Sequence, residues 1–273
     1  MQPDDVEPRS LEIAKGHHPD SGDGPFAFQE GPAQAGRYNY RKEAAVLSRV
    51  QSRWVTFDCF GTLVDWQAGF AAALSPIAGE RTADVVRAYH ATERLVERET
   101  PHRSYKDVLA TALVRAAQAR GVRVSDSDAR ALERSWGSMP VFADVEAMLA
   151  ELRLNGWRLA VLTNCDDDLF EITHRSFRQP FDLFVTAERI RGYKPAPWHF
   201  RAFQMVTRVN RCDWVHVACS WYHDIAPAHA LGVQTVWLDR DRTGEAPLSD
   251  STRVQSAAEV AGAVEAMFDG CYA

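Results

Sequence analysis

The sequence predicts an α/β protein: a parallel β-sheet core with a block of helices inserted after its first strand. Three observations predict it. Short apolar runs recur at "RWVTFD" (53–58), "WRLAVLTN" (157–164), "FDLFVTAE" (181–188), "WVHVACS" (214–220) and "QTVWLDR" (234–240). Helix-patterned segments separate most of them, as the crossovers of a sheet covered on both faces require. Between the first run and the second, residues 66–139 carry helical periodicity and no strand.

The elements follow in order. Residues 1–40 are rich in Pro, Gly, Asp, Gln and His, and "YRKEAAVLSRV" (40–50) has the pattern of a short helix. Residues 1–50 therefore read as a partly disordered N-terminal extension. The strand over 53–58 opens the core, and residues 66–76 are helical. "TADVVRAYHATERLVERE" (82–99) is an amphipathic helix, and "SYKDVLATALVRAAQARG" (104–121) is another, closed by Gly121. "SDSDARALERSWGSM" (125–139) predicts a helix from a Ser or Asp cap. "VFADVEAMLAELRLNG" (141–156) predicts one more, ending at Gly156. Helices over 166–178, 196–208 and 223–231 alternate with the later strands. The expected division is an extension over 1–50, a core formed by 51–65 and 140–273, and a helical insertion over 66–139.

Composition bounds the function. Hydrophobic residues make up 46% of 273, enough for a sizeable core. The formal charge is -6 and no basic stripe is present, which argues against nucleic acid as a partner. No apolar run reaches membrane-spanning length, and the polar opening "MQPDDVEPRSLEIAKGHH" is unlike a signal peptide. Cys59, Cys165, Cys212, Cys219 and Cys271 form no CxxC pair, so neither a zinc knuckle nor a dithiol motif is expected. A reduced, cytoplasmic protein is the simplest reading.

Sites in parallel sheets lie beyond the carboxyl ends of the strands, where the strand order reverses in a Rossmann-like core. The tips here carry Asp58, then Thr163 and Asn164, then Cys219 and Ser220, with Lys194 in the loop after 181–188. Asp58 stands in "VTFDCFGTLVDW" (55–66), where Gly61 permits a tight turn and Thr62 can hold one carboxylate oxygen. An oriented carboxylate in a partly dry site is a candidate nucleophile. Lys194 precedes Pro195, which disfavours helix at the lysine. Its charge can balance Asp58 and lower that aspartate's pKa. Asp224 either caps the next helix or serves as a second carboxylate that orients water. His223 beside it reads as a packing or hydrogen-bonding residue. Among the tryptophans, Trp66 is the one expected to wall the site and exclude water.

With these residues in place, the chain resembles the haloacid dehalogenase superfamily. The four motifs arrive in family order: "DCFGTLVD" (58–65), "LTN" (162–164), "YKP" (193–195) and "HDIAPAHALG" (223–232). The resemblance spans about residues 53–260 and implies that 66–139 is a helical cap over the site. It also selects a branch. The family's phosphatases carry a second aspartate two residues after the nucleophile, and here that position is Phe60. Their metal ligation uses an earlier acidic residue in the last motif, where this chain has Cys219 and Ser220. The pattern is similar to the type II, L-2-haloacid dehalogenases, which have an aromatic residue at the Phe60 position and use no metal or other cofactor.

That resemblance implies that Asp58 attacks a halogen-bearing carbon and that water then hydrolyses the resulting ester. Lys194, Asp224 and Thr62 match the branch's lysine, water-orienting aspartate and nucleophile-holding threonine. Thr163 matches a carboxylate-contacting serine, and Asn164 an asparagine near the halide. The branch's cap arginine aligns with His90, with Arg87 and Arg94 one turn away on either side. A tyrosine of the branch is Phe200 here and an asparagine is Trp221, which lies beside Ser220. Together these predict a bulkier, more aromatic pocket. The implied partner is a small halogenated carboxylate, and a homodimer is an expectation of the resemblance alone. A phosphatase, a related metal-free hydrolase of small carboxylic acids, and a non-catalytic binding module stay open. A second acidic residue reaching in from the cap would favour the phosphatase.

Overall fold

The computed structural model describes residues 53–99, 101–243 and 251–272. The expected extension over 1–50, with its short helix, lies outside them. Six parallel strands form the sheet: β1 (Trp54–Phe57), β2 (Arg158–Thr163), β3 (Leu183–Thr186), β4 (Trp214–Ala218), β5 (Gln234–Leu238) and β6 (Ser251–Val254). Their order is β3-β2-β1-β4-β5-β6, so the order reverses at β1, the middle of the sheet. Phe57 is in register with Val161 on one side and Val217 on the other. The strand tips carrying Asp58, Asn164 and Cys219 are thereby brought side by side.

Every residue of β1 is buried, because helices cover both faces of the sheet. Side chains alternate between the faces, as the period of a strand requires. Val55 and Phe57 pack with Leu159, Val161, Val215 and Val217. Trp54 packs on the other face with Ala160, Leu162 and Trp214, its ring edge-on to Phe203 at 5.3 Å.

The insertion between β1 and β2 holds α1 (Trp66–Ala78), α2 (Thr82–Val96), α3 (Tyr105–Ala119) and a short α4 (Ala131–Arg134). The Asp65 carboxylate accepts from the Ala68 N–H at the start of α1, and the Ser104 hydroxyl accepts from the Asp107 N–H at the start of α3. The remaining helices are α5 (Val145–Leu154), α6 (Asp167–His174), α7 (Ala187–Ile190), α8 (Trp198–Thr207), α9 (Ala226–Ala230) and α10 (Val260–Tyr272). Among the described residues no helix is long and apolar enough to cross a membrane.

Four details differ from the sequence reading. Residues 125–139 are not one helix but α4 between two tight turns, Asp128–Arg130 and Trp136–Ser138. Trp136 is the reason: its buried indole N–H donates to Leu169 O and Thr173 Oγ1, each at 3.0 Å, and this anchor turns the backbone inward. The helix expected over 223–231 is preceded by a wider turn, Trp221–Ile225, which runs into α9. β6 and α10 were not expected. In β6 only Val254 is buried, so its sequence lacks the alternation that marks a strand. Cys212 and Cys271 are joined as a disulfide, with Cα atoms 5.6 Å apart, which corrects the expectation that every cysteine is reduced.

Candidate active site

The site begins where β1 ends. The Asp58 N–H still bonds to Val217 O at 3.1 Å, which fixes the backbone as it leaves the sheet. Gly61 then adopts φ +95, and a Cβ there would lie 2.8 Å from Cys219 Sγ. Only glycine fits both conditions. The turn delivers Thr62 Oγ1 to within 2.8 Å of Asp58 Oδ2, to which it donates. The same hydroxyl accepts from the Cys219 N–H at 2.9 Å. Thr62 therefore ties the nucleophile candidate to the tip of β4.

Lys194 completes the arrangement. Its ammonium is 1% exposed and spends all three donors. They go to Asp58 Oδ1 at 2.8 Å, Asp224 Oδ1 at 2.6 Å and Leu162 O at 2.8 Å. Asp224 is wholly buried, and its Oδ1 also meets His216 Nε2 at 3.1 Å. Behind it, the Trp214 indole N–H donates to Thr56 Oγ1 at 2.8 Å, and Thr56 Oγ1 lies 2.9 Å from His216 Nδ1. A donor chain running Trp214, Thr56, His216 and Asp224 places the imidazole proton on Nε2. Asp224 Oδ2 is left buried with no hydrogen-bond partner, and Asp224 is one of the residues beside the cavity.

The electrostatics divide the two aspartates. Burial opposes charge on Asp224, but Lys194 and His216 outweigh it and bring the carboxyl down to about 2. At Asp58 burial dominates. It raises the carboxyl above its ordinary value, Lys194 pulls the other way, and the Asp224 charge adds to the rise. Lys194 lowers the Asp58 carboxyl, as the sequence reading expects, and desolvation, which that reading did not weigh, is the larger effect. Burial disfavours the charge on Lys194, and the two carboxylates more than offset this, holding it above its ordinary value.

A cavity of about 620 Å³ opens above these groups. Asp58, Lys194 and Asp224 form part of its lining, with Phe60, Trp66, Trp136, Trp221 and Trp237 as aromatic walls. Phe60 and Trp136 pack with ring centroids 4.7 Å apart. Thr163, Asn164, Ser220, His90 and Arg94 also line it. The Arg94 guanidinium donates to His90 Nε2 at 3.0 Å. Burial, with Arg94 beside it, brings the His90 imidazole down to about 4, so it is a neutral acceptor that aims the guanidinium. Trp66 meets His90 edge-on at 5.3 Å.

Two expected pocket residues lie elsewhere. Arg87 is on the solvent side of α2, paired with Asp84, because the buried stripe of that helix is Val85, Val86, Tyr89 and Val96. Phe200 is buried in the core under α8, edge-on to His216 at 5.0 Å, and does not reach the cavity. Its ring supports the imidazole behind Asp224 instead.

The sequence reading missed Glu93 on α2 and Glu97 just after it, both of which line the same cavity. Tyr89, Glu93 and Glu97 fall at four-residue intervals, and this spacing was the available signal: it carries the buried face of α2 onto two glutamates. Glu93 Oε1 accepts from Tyr89 at 3.1 Å and from Tyr105 at 2.5 Å. Burial, with Glu97 adding to it, pushes its carboxyl up to about 7. Glu97 Oε1 accepts from the Asn164 amide at 3.1 Å, and its Oε2 lies 3.6 Å from His223 Nε2. Burial pushes Glu97 up to about 8 against the pull of Asn164 and Lys194. Asn164 is thereby committed: its remaining polar bonds go to Lys194 O at 3.1 Å and the Lys194 N–H at 2.7 Å.

Known proteins share this architecture. Over 150 residues the chain is 24% identical to the haloacetate dehalogenase H-2 of Moraxella sp. (strain B), a match covering 52% of this chain and 66% of that protein. Over 135 residues it is 31% identical to the phosphoserine phosphatase of Thermus thermophilus, covering 48% and 54%. The chain thus spans between half and two-thirds of the curated relatives it matches. The solved L-2-haloacid dehalogenase of Xanthobacter autotrophicus superposes with a TM-score of 0.68 at 18% identity, over 79% of this chain and 99% of that one, a likeness of fold. A family model for haloacid dehalogenase-like hydrolases matches residues 53–207, more than half of the chain. That match begins on β1 and runs through the insertion to α8, and on its extent the chain belongs to the haloacid dehalogenase-like hydrolases.

Proposed function

We propose that the chain is a metal-independent hydrolase that removes halide from a small 2-halo carboxylic acid through an ester on Asp58. In the first step an Asp58 oxygen bonds to the halogen-bearing carbon from the side opposite the halogen. The carbon–halogen bond breaks and its electron pair leaves with the halide. In the second step water attacks the ester carbonyl carbon of Asp58, and the 2-hydroxy acid departs with inverted configuration. In this reading Asp224 Oδ2, which has no hydrogen-bond partner, accepts from that water, and Lys194 and Thr62 hold the carboxyl group in both steps. Arg94 is the cavity cation available to the substrate's carboxylate or to the halide.

One observation carries this reading. The space between Asp58 and Asp224 is filled by the Lys194 ammonium, at 2.8 and 2.6 Å. Magnesium, which the family's phosphatases use, needs several hard oxygen ligands there. Cys219 and Ser220 add no carboxylate at the tip of β4, and both aspartates already hold a cation. These residues do not fit the ion, and no step is derived through it. Glu97 is the kind of acidic residue from the insertion that favours a phosphatase, so the assay must include one. Halide release from 2-chloropropionate and fluoroacetate, in the presence of chelator, is the expected activity, lost in Asp58→Asn. In water enriched in ¹⁸O, a single turnover should place the label in the Asp58 carboxyl group. Phosphate release that depends on magnesium, with no halide release, would refute the proposal.

A further inference from the structure

β1 and β4 are buried along their whole length, and their side chains are apolar apart from Thr56 and His216. These two are partners in register between the strands, and both are fully buried. A polar group in such a place is costly unless its bonds are made, and an apolar pair would fill the same space. Their bonds run in one direction. The Trp214 indole N–H can only donate, so Thr56 Oγ1 accepts from it at 2.8 Å and turns its own proton to His216 Nδ1 at 2.9 Å. The imidazole proton is then on Nε2, 3.1 Å from Asp224 Oδ1. Phe200 packs edge-on against the ring at 5.0 Å and confines it.

The chain of bonds ends by distinguishing the two oxygens of one carboxylate. Each has room for about two donors. At Oδ1 those places are taken by Lys194 Nζ, at 2.6 Å, and by His216 Nε2. Oδ2 has no hydrogen-bond partner. Held by Lys194 alone, the carboxylate would be free to rotate about its Cβ–Cγ bond and to exchange its oxygens on the ammonium. A second donor on the same oxygen removes that freedom.

We infer that His216 is a positioning residue for hydrolysis of the Asp58 ester, fixing Asp224 so that Oδ2 is the oxygen left open to water. The inference rests on the function proposed above and divides labour within it. Bond formation between Asp58 and the halogen-bearing carbon moves no proton, so that step does not need Asp224 oriented. Hydrolysis does. Water attacks the ester carbonyl carbon and gives a proton to Asp224 Oδ2. The bond from that carbon to the hydroxy acid's oxygen breaks with its electron pair, and the departing oxygen takes the proton from Asp224. The carboxylic acid left on Asp58 releases its own proton to solvent. His216 keeps its Nε2 proton throughout.

The test uses 2-chloropropionate with the wild type, His216→Gln, His216→Asn and His216→Leu. A glutamine amide extends about as far as Nε2 and can donate to Asp224. An asparagine amide extends only as far as Nδ1, toward Thr56, and a leucine makes neither bond. Rapid quenching gives the rate of chloride release in the first turnover, and intact-protein mass follows the ester on Asp58. His216→Asn and His216→Leu should release the first chloride within about threefold of the wild-type rate but hydrolyse the ester about ten- to a hundredfold more slowly, the cost of a misplaced group. The ester then accumulates, and kcat falls with it. His216→Gln should hydrolyse the ester within about threefold of the wild-type rate. Should His216→Leu fail to fold, the asparagine and glutamine variants decide. Equal slowing of both steps in His216→Asn, wild-type hydrolysis in His216→Asn, or a His216→Gln no faster than His216→Asn overturns the inference and leaves Asp58 chemistry standing. A wild type that releases no chloride, or an Asp58→Asn variant that releases it at the wild-type rate, instead overturns the proposed function and takes the inference with it.

Discussion

Lys194 Nζ stands between two buried carboxylates, 2.8 Å from Asp58 Oδ1 and 2.6 Å from Asp224 Oδ1. One positive charge thus serves two negative ones in a place water scarcely reaches. The pairing is costly to break, because whichever partner loses the ammonium keeps its desolvation penalty.

Lys194→Met should therefore lower stability by about 3–5 kcal/mol, the range for breaking a buried pair. Asp58→Asn should cost far less, since it leaves Lys194 and Asp224 matched one to one. Urea unfolding of the two variants checks the order. Equal losses would mean that the lysine is not shared in this way.

Gly61→Ala should damage the turn that carries Asp58. Its φ of +95 disfavours any side chain, and the new Cβ would meet Cys219 Sγ at 2.8 Å. We expect at least a tenfold loss of activity and a stability loss of about 1–3 kcal/mol, the cost of a strained backbone residue. Adding Cys219→Ala removes the collision but not the strain, so it should restore part of the stability. Full recovery would show that the backbone angle is tolerated.

Glu93 and Glu97 should make the chain less stable as pH rises. Their carboxyls move from an ordinary value of 4.5 up to about 7 and about 8 on folding. A carboxyl raised by folding gives stability that is complete below 4.5 and lost as pH rises through its folded value. Thermal melts from pH 5 to 9 should show wild type declining more steeply than a Glu93→Gln, Glu97→Gln double variant. Asp224, lowered to about 2, acts in the opposite sense, its contribution disappearing only as strong acid is approached.

Much of this was legible in the sequence. β1, β2, β4 and β5 are near-continuous apolar runs, because strands buried on both faces need no polar side. Asp58, Thr62, Lys194 and Asp224 could be named because each follows a strand tip and the tips converge. What escaped depends on contacts distant in sequence. β6 owes its place to pairing with β5, not to its own pattern. Arg87 and Arg94 look alike in the chain, and only the rotation of α2 sends one to solvent and one to the cavity. Phe200 stands where the branch has a tyrosine, yet the start of α8 points its ring into the core.

The insertion of α1 to α4 between β1 and β2 has a further consequence. Among the described residues the Asp58 carboxylate is hydrogen-bonded by Thr62, which precedes the insertion, and by Lys194, which lies beyond it. Substitutions in α1 to α4 can therefore reshape the walls around a bound molecule while the tether of the Asp58 carboxylate keeps its bonds.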